Sequence, residues 1–168
     1  MKGGTTMEKY NRLIFVCTGN TCRSPMAETI FKSMDTNSDI EVYSRGVVVL
    51  FSEPSNPKAE MVLKNHNIEL KDHVSMPLTE ADITNTTLIL TMTEKQKKQV
   101  MQNFDLTENV YTIKEYVGEF GDVTDPYGGT LVDYEECYIE LARLVKKTVY
   151  TLNDEIESNN SDTDGGQL

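Results

Sequence analysis

Long apolar runs are absent from this sequence of 168 residues. The longest, Leu13–Cys17 and Val47–Phe51, are strand-sized and far short of a bilayer span, so no membrane partner is expected. Positive charge is scarce too: 16 Lys and Arg stand against 27 Asp and Glu, a formal net charge of −11. A phosphate backbone would be repelled by such a chain, which argues against nucleic acid as a partner. The three cysteines, Cys17, Cys22 and Cys137, are an odd set without the spacing of a disulfide framework. No apolar h-region lies between Lys2 and Lys9, so no export signal is read and a reducing cytoplasm is the expected compartment. There is no internal repeat and no long linker.

The length fits one domain with a sizeable core. Residues 1–10, with MKGGTT ahead of Met7, read as a flexible leader. Residues 11–157 read as the domain and 158–168 as a disordered acidic tail. Asp154, Glu155, Glu157, Asp162 and Asp164 supply five of the eleven net negative charges, and NNSDTDGGQL offers little that packs.

Within the domain, strands and helices alternate. RLIFVC (12–17) is a buried strand by its β-branched and aromatic run. SPMAETIFKSM (24–34) is a helix, with Ser24 placed to cap it, Pro25 in its first turn, and Ile30, Phe31 and Met34 on one side. IEVYS (40–44) is a second strand, and 56–66 a helix facing inward with Ala59, Val62 and Leu63. A short helix over 78–83 precedes a third strand at 86–92. Thr93 and Gln96 then form a capping box for a helix over 93–104. NVYTI (109–113) is a fourth strand. After the loop GDVTDPYGG (121–129), a helix over 131–156 carries apolar residues from Tyr134 to Leu152 at intervals of three and four. The fold class is therefore α/β, a four-stranded parallel sheet covered by helices on both faces. Ligands of such sheets bind at the carboxyl ends of the strands.

CTGNTCRS (17–24) stands at that place after the first strand. A strand-to-helix turn of small residues aims backbone N–H groups into one concavity, and the following helix adds its positive end. That is a cradle for a tetrahedral oxyanion, and a phosphate-binding loop is the expectation. Gly19 takes a positive φ freely and Asn20 tolerates one. Arg23 closes the ring with a planar fork that fits two phosphate oxygens. Cys17 lies at the floor, where the field favours its thiolate form. A thiolate beneath a phosphoryl group is a nucleophile, and it needs an acid for the leaving group. Asp125, in the Gly-flanked DPY of 125–127, is the candidate acid, with Tyr127 as a wall of the pocket. Taken alone, C-x₅-R is also compatible with an inert structural nest, and Asp-Pro with an ordinary turn.

Together, FVCTGNTCRSPMAE and the later DPYGG resemble the low-molecular-weight protein tyrosine phosphatase family over residues 11–152. The SRG after the second strand, HVSMPLT and LTMT belong to the same resemblance. It implies hydrolysis of phosphorylated protein side chains through a phosphocysteine, without metal or other cofactor, by a chain expected to be monomeric. By position it makes Cys17 the nucleophile, Arg23 the phosphate clamp and Asp125 the general acid. Thr18, Gly19, Asn20, Thr21 and Cys22 complete the loop. Ser24 supports the thiolate, and Ser44 and His73 brace Asn20; His66 is read as a polar position near a helix end.

Thr21 stands where tyrosine-specific members often carry a bulkier apolar residue, and Gly128 where they commonly carry a second aromatic. Both features resemble the bacterial protein-arginine phosphatases, and a hydroxyl wall suits a cationic guanidinium. Protein-tyrosine phosphatase is the alternative. The apolar stretch VVVLF (47–51) either favours an aromatic substrate or packs under its loop. Arsenate reductase is the weaker reading, because residues 76–104 hold no cysteine. A non-catalytic phosphate-binding module is weaker too, because Cys17, Arg23 and Asp125 are all present. Cys22, on the same loop as Cys17, is either a redox partner that captures an oxidised Cys17 or a small space-filler.

Overall fold

A computed structural model describes residues 9–34 and 39–165, the last ten as backbone only. Four strands, β1 (Arg12–Cys17), β2 (Glu41–Gly46), β3 (Thr87–Thr91) and β4 (Val110–Thr112), form a parallel sheet in the order β2-β1-β3-β4. The helices are α1 (Arg23–Ser33), α2 (Pro57–Asn65), α3 (Glu94–Asn103), α4 (Ile113–Tyr116) and α5 (Leu131–Gly165). No described helix is long and apolar enough to cross a membrane.

Between Arg12 and Cys17 in β1, and between Thr87 and Thr91 in β3, the central strands are apolar because both faces of the sheet are covered. Leu13, Phe15, Leu88 and Leu90 pack with α1, α2 and α5, through Met26, Ile30, Val62, Leu63, Tyr134, Leu141 and Leu144. Ile14, Val16 and Ile89 point the other way, onto Val100 of α3 and onto Leu78. The alternation along β1 therefore divides the core into two layers and leaves the loop after Cys17 on the sheet's carboxyl edge.

Several boundaries differ from the sequence reading. Tyr10, assigned to the leader, is buried and donates its hydroxyl to Asn109 Oδ1 at 3.0 Å, so the packed domain starts there; residues 1–8 lie outside the described residues. Ser24 does not cap α1. The capping position is Cys22, without a side-chain bond, because the Ser24 hydroxyl is committed to the loop described below. The expected helix over 78–83 is a single 3₁₀ turn, Glu80–Asp82, although its Thr79–Asp82 capping box does form. β4 ends at Thr112, whose hydroxyl caps α4 by accepting from Glu115 N at 2.9 Å, so Ile113 is helical rather than extended. α5 continues to Gly165, past the expected end at Ile156, so residues 158–165 of the expected disordered tail have helical backbone. No proline interrupts that stretch, and the first strong stop signal is Gly165 itself.

Candidate active site

The turn between β1 and α1 is built around Asn20. This residue alone in the loop has a left-handed backbone, with φ of 58°; Gly19, expected to share that conformation, does not. Asn20 is buried, and every polar group of its side chain is engaged. Its Nδ2 donates to Ser24 Oγ at 2.8 Å and to Ser44 Oγ at 3.0 Å, while Oδ1 accepts from Met76 N at 3.0 Å. His73 Nε2 lies 2.7 Å from the Asn20 carbonyl oxygen. Ser44 in turn donates to Glu28 Oε1 at 2.7 Å. Asn, Ser and His thus lock a conformation that costs a non-glycine residue free energy. Glu28, the far anchor of this web, went unnoticed in the sequence reading; its place one turn beyond Ser24 on α1 was the available signal.

The segment that follows β2 clamps the loop. Val47 N donates to Cys17 O, and Val48 N to Thr18 O, each at 3.0 Å. A side chain at position 46 would place its Cβ 2.8 Å from the Thr18 carbonyl oxygen, so this close approach requires Gly46. From the far rim, Asn56 N donates to Thr21 O at 2.9 Å.

Cys17, buried at the floor, receives two contacts on its sulfur: Ser24 Oγ at 3.0 Å and Asn20 N at 3.3 Å. Arg23, also buried, donates from Nη1 to the Val123 carbonyl oxygen at 2.9 Å, and Nη2 lies 3.5 Å from Asp125 Oδ2. Its Nε, fully buried, has no partner among the described residues. A buried guanidinium with a spare donor is costly unless an acceptor completes it. The carboxylate of Asp125 is half exposed and accepts from Tyr127 N at 3.0 Å, which folds the acid loop back on itself. The structure thus brings Arg23 and Asp125 together across 102 residues of sequence, as Arg23 donates to the neighbouring Val123.

The remaining loop residues have separate surroundings. Thr18 Oγ1 accepts from the buried Gln96 at 3.0 Å, a partner the sequence reading placed only in a capping box. Cys22 is buried against the Tyr134 hydroxyl at 3.5 Å, and burial pushes its thiol pKa up. Cys137, under the acid loop, is pushed up to about 12 by the same cause. All three cysteines are free. Tyr127 is largely exposed and lines, with Asp125, a cleft of about 370 Å³ on the α5 side, away from Cys17. Leu50 and Phe51 are exposed as well, so this part of VVVLF does not pack under its loop. His66 belongs elsewhere, bridging α2 to Glu135 of α5 at 2.5 Å and stacking on Tyr138.

A thiol and a guanidinium anchored at the two ends of one loop, on the carboxyl edge of a parallel sheet, define a protein built for phosphoryl chemistry. The chain belongs to a family with that fold: the model of the low molecular weight phosphotyrosine protein phosphatases matches residues 12–158. It is 42% identical over 139 residues to a protein-arginine-phosphatase of Bacillus subtilis, across 80% of this chain and 92% of that one. It is 39% identical over 136 residues to the low molecular weight protein-tyrosine-phosphatase PtpB of Staphylococcus haemolyticus, across 81% and 96%. A solved structure of the YwlE arginine phosphatase, a cysteine-to-serine mutant with a phosphorylated active-site serine, superposes with a TM-score of 0.79 at 40% identity, over 84% of this chain and 95% of that one. The chain is accordingly a low molecular weight protein phosphatase.

Proposed function

We propose that this phosphatase removes phosphate from arginine side chains of proteins, through a phosphocysteine at Cys17. The sulfur of Cys17 attacks phosphorus in line while the loop N–H groups and the Arg23 fork hold the non-bridging oxygens. Arg23 Nε, buried without a partner among the described residues, is the donor that a phosphoryl oxygen completes. As the P–N bond breaks, the Asp125 carboxyl protonates the leaving guanidine nitrogen. The resulting Asp125 carboxylate then takes a proton from water, whose oxygen attacks phosphorus. The S–P bond breaks, phosphate leaves, and Ser24 stabilises the thiolate that returns.

The observation that carries the arginine reading is Thr21. It places a hydroxyl rather than a large apolar side chain on the rim, where a guanidinium finds an acceptor and an aromatic ring would find less packing. Gly128 leaves no second aromatic directly after Tyr127. The exposed Leu50 and Phe51 favour the second reading, a phosphotyrosine substrate, by offering an apolar rim. The test is kcat/KM for one peptide sequence carrying phosphoarginine or phosphotyrosine. The phosphoarginine form is expected to be preferred, and Thr21→Ile to shift the ratio toward phosphotyrosine by roughly tenfold. A wild-type preference for phosphotyrosine would establish the second reading instead.

The enzyme is proposed to act as a monomer in the cytoplasm, with Cys22 as a redox partner. Peroxide oxidises the Cys17 thiolate to a sulfenic acid, and the Cys22 thiol condenses with it, releasing water and forming a disulfide. After peroxide and then thiol reductant, wild type is expected to regain activity and Cys22→Ser to stay largely inactive. Equal recovery would leave Cys22 a packing residue.

A further inference from the structure

Gln96 is buried, and its hydrogen bonds fix the orientation of its amide. Oε1 must be the acceptor, because two backbone donors, Met92 N and Thr93 N, point at it from 3.0 Å each. Nε2 is therefore the atom 3.0 Å from Thr18 Oγ1, and it donates. The Thr18 hydroxyl, accepting there, keeps its own proton for another partner, and no described residue takes it. Donation into an O–H group also strengthens that group as a donor.

Thr18 is exposed and faces a cleft of about 420 Å³ between the start of α3 and the acid loop. Arg23 and Asp125 line the same cleft, so it adjoins the reaction site, and Lys95 and Gln99 line it as well. Asp122, also in the wall, already accepts from Glu94 N at 2.9 Å. Beside the carboxylates of Asp122 and Asp125, the donors in its wall are Arg23, Lys95, Gln99 and the Thr18 hydroxyl, which adjoins Cys17 in the chain. A protein substrate presents an acceptor at every residue, the main-chain carbonyl.

We infer that this cleft is a subsite for the substrate's main chain beside the phosphorylated residue, with the Thr18 hydroxyl, oriented by the positioning residue Gln96, donating to a peptide carbonyl. The inference rests on Cys17 being the reaction site but holds for phosphoarginine and phosphotyrosine alike. It makes the enzyme a reader of polypeptide rather than of the side chain alone.

The test compares kcat/KM for a phosphorylated decapeptide with that for the same side chain lacking a main chain. The pair is chosen by whichever residue wild type turns over faster: N-phosphoryl propylguanidine stands for arginine, p-cresyl phosphate for tyrosine. Thr18→Val keeps the shape and removes the donor, and the peptide-to-side-chain ratio is expected to fall roughly tenfold, whatever loss the two substrates share. Gln96→Glu keeps the acceptor for Met92 N and Thr93 N but draws the Thr18 proton to itself, and should lower the ratio similarly. Combining both changes should lower it no further, because one proton is removed in each. An unchanged ratio in Thr18→Val, or losses in the two single variants that multiply, would overturn the subsite. Turnover surviving in Cys17→Ser would instead overturn the reaction site and leave the ratio test standing.

Discussion

The phosphate loop and the acid loop face each other across the candidate site, and they are built in opposite ways. In residues 17–24, Asn20, Ser24 and Arg23 are buried, and a web through Ser44, His73, Met76 and Glu28 holds the one left-handed residue in place. In residues 118–129, Phe120 and Tyr127 are exposed, and Gly118, Gly121 and Gly128 supply the positive φ values. Among the described residues, the carboxylate of Asp125 is held by Tyr127 N and by Arg23 alone. The difference fits the two roles proposed for these loops. A nucleophile and its oxyanion donors gain rate from fixed geometry. An acid must serve a leaving group whose position varies with substrate, and then a water, so a lightly held carboxylate suits it.

Breaking the rigid side should cost most. Cys17→Ser is expected to lower turnover by roughly 10⁴-fold or more while phosphate binding persists, measured by steady-state kinetics and by calorimetry with inorganic phosphate. Retained turnover would remove Cys17 from the chemistry. Asp125→Asn should lower kcat/KM by about 10²–10⁴-fold for phosphopeptides and far less for an activated aryl phosphate, whose leaving group needs no proton. Equal losses for the two substrates would deny Asp125 the acid role. Asn20→Ala sharpens the contrast between the regions. It strands Met76 N and takes a donor from Ser24 and Ser44, with an expected stability loss of about 1–3 kcal/mol in denaturant titrations and a fall in kcat/KM of roughly 10²-fold. A variant with normal rate would show that the loop needs no such bracing.

The rigid region was the more legible one in the sequence. A short motif carried Cys17, Asn20, Arg23 and Ser24 together, and local turn chemistry says why each residue type is needed. Glu28 and Gln96 were missed as site residues because their roles arise from contacts with Ser44 and Thr18, 16 and 78 residues away, and helix spacing from Ser24 hinted at Glu28 alone. Tyr10 was lost to the leader for the same reason, its partner Asn109 being 99 residues away. Ser24 misled in the opposite direction: its local signal is that of a helix cap, and the contact with Cys17 outweighed it. α4 escaped because Ile113 continues the apolar pattern of β4, while the cap on Thr112 converts that residue to helix.

The central claim is that phosphate passes covalently onto Cys17. It is tested most directly in Asp125→Asn with an activated aryl phosphate, where loop phosphorylation proceeds but water is poorly activated. Rapid mixing should release a burst of phenol equal to the enzyme concentration, and digestion should find one phosphoryl group on the peptide containing Cys17. Release of phenol without a burst, or a phosphoryl group on any other residue, would contradict it.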